Sequence, residues 1–356
     1  MKILVPLAVS IVGKPSRTAL ALTVFAALCI PVSALTFNFT FTPESTAQDI
    51  AGFNAAGAFW SSKFSDNVTL NMDVGTAALG TGILAQAGST QGEVSYTDFR
   101  NHLAADATSA FDNTALSSLA TGTSFGMLLN RTSNNPNGSG SATAYLDNDG
   151  DDNNTTLYIT TANAKAIGYT YAGSDASITF GNSFSWDYDS SNGISSGSYD
   201  FVGIAIHEIG HSLGFISGVD ILDGNSPPIN GPFSDDQFTY VSSLDLFRYS
   251  TASAASGVID WTASATNKYF SLNNGTTAIA GFSTGLNFGD GRQASHWKDN
   301  LGLGVMDPTA ATGETLVAGP NDFLAFDVIG WDVVPEPSSV LLGSFGMLFA
   351  MGRRRR

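Results

Sequence analysis

Residues 207–220 read HEIGHSLGFISGVD, which places two histidines and a glutamate within five positions. On an α-helix, side chains four residues apart lie one turn apart on the same face, so His207 and His211 can bind one zinc ion together. Glu208, next to the first histidine, can hold a water molecule beside the ion. A catalytic zinc site usually has three protein ligands. The stretch supplies no third histidine, because Ser217 stands six residues after His211.

The residues around these histidines predict a buried helix that starts near residue 200. Ser198 is a candidate N-cap, and Asp200 would lie in the first turn, where a negative charge favours the helix dipole. Gly214 is placed to end the helix with a left-handed turn. The helix is apolar on nearly every face, at Phe201, Val202, Ile204, Ala205, Ile206 and Ile209. Because polar groups are costly to bury in such a helix, its two histidines and its glutamate are expected to have a function.

Four residues elsewhere in the chain are candidates for the third ligand. His102 follows a basic and an amide residue, which is typical of an exposed surface histidine. Asp220 lies two or three residues beyond the usual position, and Glu314 lies in PTAATGETLVAG, which does not look helical. His296, in QASHWKDNLGLGVMDPT, is the remaining candidate.

The order of these motifs resembles that of the metzincin metalloproteases, and within them the leishmanolysin type. HExxHxxG is followed by a long insertion, then by a histidine in SHW and a methionine in VMDP, over about 200–330. The resemblance implies three zinc ligands, a general base and two supporting residues, namely His207, His211, His296, Glu208, Gly214 and Met306. Glu208 would take a proton from the attacking water and pass it to the leaving amine, and Met306 would form a packed floor beneath the zinc ion.

The same resemblance implies an α+β, zincin-like (metzincin) fold with a twisted mixed sheet, an active-site helix and a turn-rich C-terminal subdomain. It implies a zinc endopeptidase that acts on protein or peptide substrates. The catalytic domain is expected over 35–334, with an N-terminal subdomain over about 35–214 and a C-terminal one over about 215–334. The sequence departs from the family pattern in two features. The expected catalytic domain has no cysteine, whereas leishmanolysins are rich in disulfides. In addition, no tyrosine follows Met306, so the extra tyrosine ligand of some family members is missing.

The first 34 residues have the pattern of a signal peptide. Basic residues precede the apolar run TALALTVFAALCI and the small-residue sequence PVSA, which predicts cleavage after Ala34. A retained membrane anchor and lipid attachment at Cys29 are the alternatives. The apolar run is short for a membrane span, which needs about 20 residues.

The last 22 residues, 335–356, resemble the PEP-CTERM sorting signal of Gram-negative bacteria. The sequence Pro335-Glu336-Pro337 precedes a short apolar stretch and four arginines. The resemblance implies export, recognition by an exosortase-type processing enzyme, transient membrane anchoring through the tail, and removal of the tail. We therefore expect the protein in the periplasm, at the cell surface or outside the cell.

The composition restricts the classes of partner. The formal net charge is −16 at pH 7, and seven of the 15 lysines and arginines lie in the two end segments. Nucleic acids and anionic membrane surfaces need a basic face, so neither is expected to bind the rest of the chain. An acidic chain rich in Gly, Ser and Thr also suits a non-catalytic exopolysaccharide, biofilm-matrix or surface protein with a vestigial zinc site. Glu208 favours the peptidase, because a scaffold does not need a carboxylate beside two histidines on a buried helix.

Hydrophobic periodicity predicts four further elements. A helix capped by Thr46 is expected to follow residue 46, and a second amphipathic helix is expected within 97–119. Alternating apolar residues predict strands over 67–74 and 176–180.

An acidic loop, AYLDNDGDDNN, lies between these elements. Asp147, Asp149 and Asp151 could bind calcium through their carboxylates, although they do not match the register of an EF-hand loop. The alternative is an acidic turn exposed to solvent.

Overall fold

The computed structural model describes residues 35–335, which form a mixture of helices and short strands. The predicted signal peptide, 1–34, and the predicted sorting tail after Pro335 lie outside the described residues. Over 35–335, every helix is too short or too polar to cross a membrane. Because helices and strands both occur throughout residues 35–335, this part of the chain is an α+β protein.

Helices and strands are interspersed along the described chain. The helices are α1 (Ala47–Lys63), α2 (Tyr96–Asp106), α3 (Ala110–Ser118), α4 (Asp152–Thr155), α5 (Thr161–Ala166), α6 (Phe201–Ser212), α7 (Val219–Gly224), α8 (Thr251–Ser256) and α9 (Pro320–Val328). The strands are β1 (Thr36–Phe41), β2 (Thr69–Ala77), β3 (Ala85–Ser89), β4 (Gln91–Ser95), β5 (Met127–Leu129), β6 (Tyr145–Asp147), β7 (Thr156–Thr160), β8 (Ala176–Gly181), β9 (Trp186–Asp187), β10 (Tyr199–Asp200), β11 (Arg248–Tyr249), β12 (Ile259–Asp260), β13 (Lys268–Phe270) and β14 (Ala280–Phe282). Short 3-10 helices lie at Ser190–Asn192, Asp235–Gln237 and Leu244–Phe247.

The largest described sheet is mixed and has the strand order β1-β2-β8-β3. β1, β2 and β8 run parallel, and β3 pairs antiparallel with β8 at the edge. The strands predicted over 67–74 and 176–180 correspond to β2 and β8. In β2 the apolar residues Leu70, Met72 and Val74 are buried, as the alternation predicts. On its other side β3 has no paired strand within residues 35–335, and this edge lines the candidate site.

Helix α1 joins this sheet to the helix that carries the two histidines. Thr46 and Asp49 form a capping box at its start, which confirms Thr46 as the N-cap. Phe53 of α1 packs edge-on against Phe180 of β8 and Phe201 of α6. The buried aromatic rings thus fix the position of α6 over the sheet.

Helix α6 is held at its start and in its middle by specific hydrogen bonds. Asp200 accepts a hydrogen bond from the backbone of Gly203 at 2.9 Å and is the N-cap. The prediction of Ser198 as the cap was therefore wrong, because β10 keeps the chain extended up to Asp200. In the middle of the helix, Trp60 Nε1 donates to the carbonyl oxygen of Ile206 at 3.1 Å. Gly214 follows the helix with φ +120°, a backbone conformation that favours glycine.

The amphipathic helix expected within 97–119 is two helices. α2 ends at Asp106, and Ser109 caps α3 by accepting hydrogen bonds from the backbone of Phe111 and Asp112. Asp112 in turn accepts a hydrogen bond from the backbone of Ser109. This local capping box starts a new helix shortly after α2 ends.

The chain after Gly214 is rich in turns, as expected, and its strands have two or three residues each. Its last helix, α9, returns to the first half of the fold. Phe326 of α9 packs against Trp60 of α1, and Trp331 Nε1 donates to the carbonyl oxygen of Leu213 at 2.8 Å. These contacts bring the C-terminal part of the described chain beneath α6.

Candidate metal centre

Three histidine rings meet at one point beside α6. The Nε2 atom of His211 lies 3.1 Å from that of His207 and 3.1 Å from that of His296, and the third distance is 3.3 Å. Tetrahedral zinc with bonds of 2.0–2.1 Å to nitrogen would place its ligand atoms about 3.3 Å apart. The three nitrogens therefore have the spacing of one zinc ligand set.

The other ring nitrogen of each histidine is held by the backbone. Each Nδ1 faces a carbonyl oxygen: Val305 at 2.7 Å from His207, Phe215 at 2.8 Å from His211, and Gln293 at 3.4 Å from His296. A carbonyl oxygen can only accept a hydrogen bond, so Nδ1 carries the proton and Nε2 presents a lone pair. Burial lowers the pKa of all three rings, to about 3 for His211, and keeps them neutral. Neutral rings with free lone pairs fit a metal ion as ligands.

Glu208 is buried on α6 next to His207, and it lines the same cleft as the three histidines. Burial raises its pKa to about 8, and a hydrogen bond with the backbone of Ala87 in β3 opposes that rise. A divalent cation next to the carboxylate would favour its charged form. In this position the carboxylate can exchange a proton with a molecule bound at the histidines.

The loop before His296 is fixed by Asp220 at the start of α7. The carboxylate of Asp220 accepts hydrogen bonds from the backbone of Ala294 at 2.6 Å and of Ser295 at 3.1 Å, and from Ser295 Oγ at 2.5 Å. Ser295 Oγ also accepts from the backbone of Ser217 at 2.9 Å. From the sequence, Asp220 was a candidate metal ligand. In the structure it instead holds the segment that carries His296.

Met306 packs against α6 at Gly210, between His207 and His211 in the sequence. Its side chain is fully buried, and a Cβ atom added to Gly210 would lie 2.5 Å from its sulfur. Asp322 of α9 holds this turn by accepting hydrogen bonds from Trp297 Nε1 at 2.8 Å and from the backbone of Val305 at 2.8 Å. Sequence reasoning missed Asp322, whose only signal is an acidic residue in the first turn of a helix.

Two other ligand candidates lie away from the centre. His102 stacks on Tyr169, and its Nδ1 lies 2.8 Å from the carbonyl oxygen of Ile167. Glu314 accepts a hydrogen bond from the backbone of Ala311 at 2.8 Å. Over residues 35–335, neither belongs to a group of side chains that could hold a metal ion.

The three aspartates predicted to bind calcium do not form one group in the described chain. Asp147 is buried and accepts a hydrogen bond from Asn153 Nδ2 at 2.9 Å, and Asp149 is exposed. Asp151 alone lies in a carboxylate cluster, and its partners are Asp235 and Asp236. The three aspartates were predicted from their spacing along one loop. That spacing cannot reveal that the fold brings a distant segment to Asp151.

The histidines open onto a cleft of about 700 Å³. Edge strand β3 forms one wall of this cleft through Ala85, Gln86, Ala87 and Ser89. The rest of the lining mixes apolar residues with polar and charged ones, among them Tyr199, Arg292 and Asp307. The cleft therefore places an unpaired strand edge next to Glu208 and the three rings.

In comparisons with known proteins, no family model, no curated protein and no solved structure matches this chain.

Proposed function

We propose that this protein is an exported zinc-dependent endopeptidase with a zincin-like fold of the metzincin type. The observation that carries the proposal is the convergence of three Nε2 atoms within 3.3 Å of one another beside the buried Glu208. The mixed sheet with α6 packed on it, and Met306 packed against α6 at Gly210, agree with the fold that the sequence resemblance implies. Export and removal of the tail remain predictions from the two end segments.

The proposed reaction is hydrolysis of a peptide bond. His207, His211 and His296 would hold the zinc ion. When bound, the ion polarises the substrate carbonyl and lowers the pKa of a bound water to roughly 7. Glu208 accepts a proton from the attacking water and later donates it to the leaving amine. The hydrogen bond with the backbone of Ala87 orients its carboxylate within the cleft.

The substrate would bind as an extended chain along β3. One side of β3 pairs with β8, and the other faces the cleft, so its free backbone groups can pair with an added strand. Glu208 contacts the backbone of Ala87, in the middle of β3. An extended peptide paired there would therefore pass the three histidines with a scissile bond within reach of the carboxylate.

Zinc content and casein digestion of the purified protein test this proposal. Wild type should hold about one zinc per chain, as one three-histidine site requires, and digest casein. Glu208→Gln should keep the zinc and lose about 10²–10⁴-fold in rate, because it removes the proton carrier but none of the ligands. His296→Ala should lose both zinc and activity.

His102→Ala is the matched control, because His102 lies outside the centre, and it should keep wild-type zinc and activity. Near-wild-type activity of Glu208→Gln would contradict the mechanism. If wild type binds zinc but cleaves no protein or peptide substrate, the alternative of a non-catalytic matrix or surface protein is favoured.

A further inference from the structure

Three carboxylates come together where two distant segments of the chain meet. Asp151 immediately precedes α4, and Asp235 and Asp236 begin the 3-10 helix Asp235–Gln237. One oxygen atom from each carboxylate lies within 4.8 Å of the other two. α4 packs against this 3-10 helix, so the cluster lies at a contact between two elements.

Asn153 brings an unpartnered oxygen to the same contact. Its side chain is fully buried, with Nδ2 bound to Asp147 and Oδ1 without a hydrogen-bond partner. Asn153 and Asn154 are the buried residues of α4, and α4 packs against the 3-10 helix that carries two of the carboxylates. Oδ1 of Asp151 is also buried without a partner. Buried oxygens are normally satisfied, so two orphaned ones beside a carboxylate cluster indicate an unseen cation or donor.

The charge of the cluster is not balanced by the protein. Among the ion pairs of residues 35–335, none joins a lysine or arginine to the three carboxylates. Asp235 receives hydrogen bonds only from neutral groups, the Asn134 amide and the Tyr145 hydroxyl, besides its own backbone neighbours. Burial, a hydrogen bond with Asp236 and repulsion by neighbouring carboxylates raise the pKa of Asp151 to about 8, so without a cation this group holds a proton at neutral pH. A cation at this place would relieve both the repulsion and the unpartnered oxygens.

We propose that one calcium ion binds at this contact through four side chains: Asp151, Asn153, Asp235 and Asp236. The ligand set contains only oxygen atoms, which hard cations prefer, and calcium binds six to eight of them at 2.3–2.6 Å. Oxygens on opposite sides of such an ion lie about 5 Å apart, which suits the spacing of this cluster. The ion joins the turn at α4 to the segment 235–237, so its effect is on stability and is independent of the proposed zinc site.

Thermal unfolding of the purified full chain, with zinc kept saturating and calcium added to calcium-depleted buffer, tests this site. The midpoint of unfolding should rise with calcium concentration, because the ion binds only the folded protein. Asp236→Asn should weaken calcium binding about tenfold, since affinity follows the number of charged ligands. Without calcium, this variant should be at least as stable as wild type, because the substitution removes repulsion between carboxylates. Asp236 is exposed, so the exchange does not disturb the core.

Asp152→Asn is the matched control, because it makes the same change of charge at an exposed position next to Asp151. It should keep the wild-type response to calcium, whereas Asp151→Asn, like Asp236→Asn, should need about tenfold more calcium for the same rise in the midpoint. A wild-type midpoint that calcium does not change would overturn the proposal. So would equal responses of Asp152→Asn and the two ligand variants, or a larger effect of magnesium than of calcium.

Discussion

The backbone N–H of Ser217 donates a hydrogen bond to Ser295 Oγ at 2.9 Å, although 78 residues separate the two serines. Ser217 occupies the position, six residues after His211, at which the opening motif offers no ligand. The residue after Ser295 is His296, whose Nε2 lies 3.1 Å from that of His211. The insertion between Ser217 and Ser295 therefore returns to the turn after α6. It brings His296 to the place where the motif lacks a third histidine.

Asp220→Ala is expected to weaken zinc binding although Asp220 is not a ligand. The carboxylate accepts three hydrogen bonds from Ala294 and Ser295, so its loss frees the loop that carries His296. Substitutions in the shell around a metal site typically cost about 10–100-fold in affinity, and we expect a loss in this range. Competition with a chromophoric chelator measures zinc affinity directly, without reference to peptidase activity.

The conservative variant and a distant control separate positioning from general damage. Asp220→Asn keeps one acceptor oxygen and should lose less affinity than Asp220→Ala. Asp149→Ala removes an exposed carboxylate that does not line the cleft, and it should bind zinc like wild type. Wild-type zinc affinity in Asp220→Ala would show that the His296 loop does not depend on this carboxylate.

Gly210→Ala is expected to destabilise the protein through Met306. The added Cβ would lie 2.5 Å from the sulfur of a fully buried methionine, so the side chain must shift in a packed environment. Overpacking costs about 1–3 kcal/mol, whereas alanine gains about 1 kcal/mol over glycine within a helix. We expect a net loss on the order of 1 kcal/mol in the free energy of unfolding, measured with urea.

Two comparisons assign this effect to the contact with Met306. In a Met306→Ala background, Gly210→Ala should become neutral or stabilising, because the clash is gone. Gly224→Ala, also at a helical glycine but with no atom within 4 Å of the added Cβ, should not destabilise the protein. If Gly210→Ala is equally destabilising in both backgrounds, another contact is responsible.

Stability should depend on pH through Asp66, which faces Asp332. Burial and repulsion by Asp332 raise the pKa of Asp66 from 3.8 to about 7. The folded state therefore holds this proton more tightly than the unfolded state, and stability is lost as pH rises from about 4 to about 7. Asp66→Asn removes this loss, so its unfolding free energy relative to wild type should increase by about 2 kcal/mol between about pH 5 and pH 8. An unchanged difference between the two proteins in urea titrations at these pH values would contradict the assignment.

The tail is expected to be removed during export. Pro335-Glu336-Pro337 cannot continue a helix and should leave an accessible junction, while the four arginines should hold the end of the tail in the cytoplasm. Mass spectrometry of the protein outside the cell should show a chain that ends near Pro337. Recovery of a chain ending at Arg356, from a host that has the processing enzyme, would contradict this prediction.

The elements with strong local patterns could be predicted from the sequence. The capping box at Thr46 and the alternation in β2 depend on neighbouring residues, and the structure confirms both. The spacing of His207 and His211 is likewise local, and it correctly indicated two rings on one helix face. His296 was reached by weighing four candidates and by the resemblance to a family, rather than through any local pattern.

The supporting residues could not be predicted, because their roles depend on contacts made across the chain. Asp220 binds a segment 74 residues away, and Asp235 lies beside Asp151 although a long stretch separates them. Within 97–119, where one helix was predicted, the capping bonds of Ser109 start a second helix, α3, after α2 has ended. Acidic residues are common in this chain, so none of these positions stands out by residue type alone.

The separation of His211 and His296 gives the proposed metal ion a mechanical role as well as a chemical one. An ion bound to both would close a loop of 85 residues, which costs an unfolded chain about 4 kcal/mol of configurational entropy. The single cysteine of the chain lies in the predicted signal peptide, so no disulfide can close this loop. The ion would thus act as a reversible cross-link, and a chelator would loosen the whole insertion rather than the candidate metal centre alone.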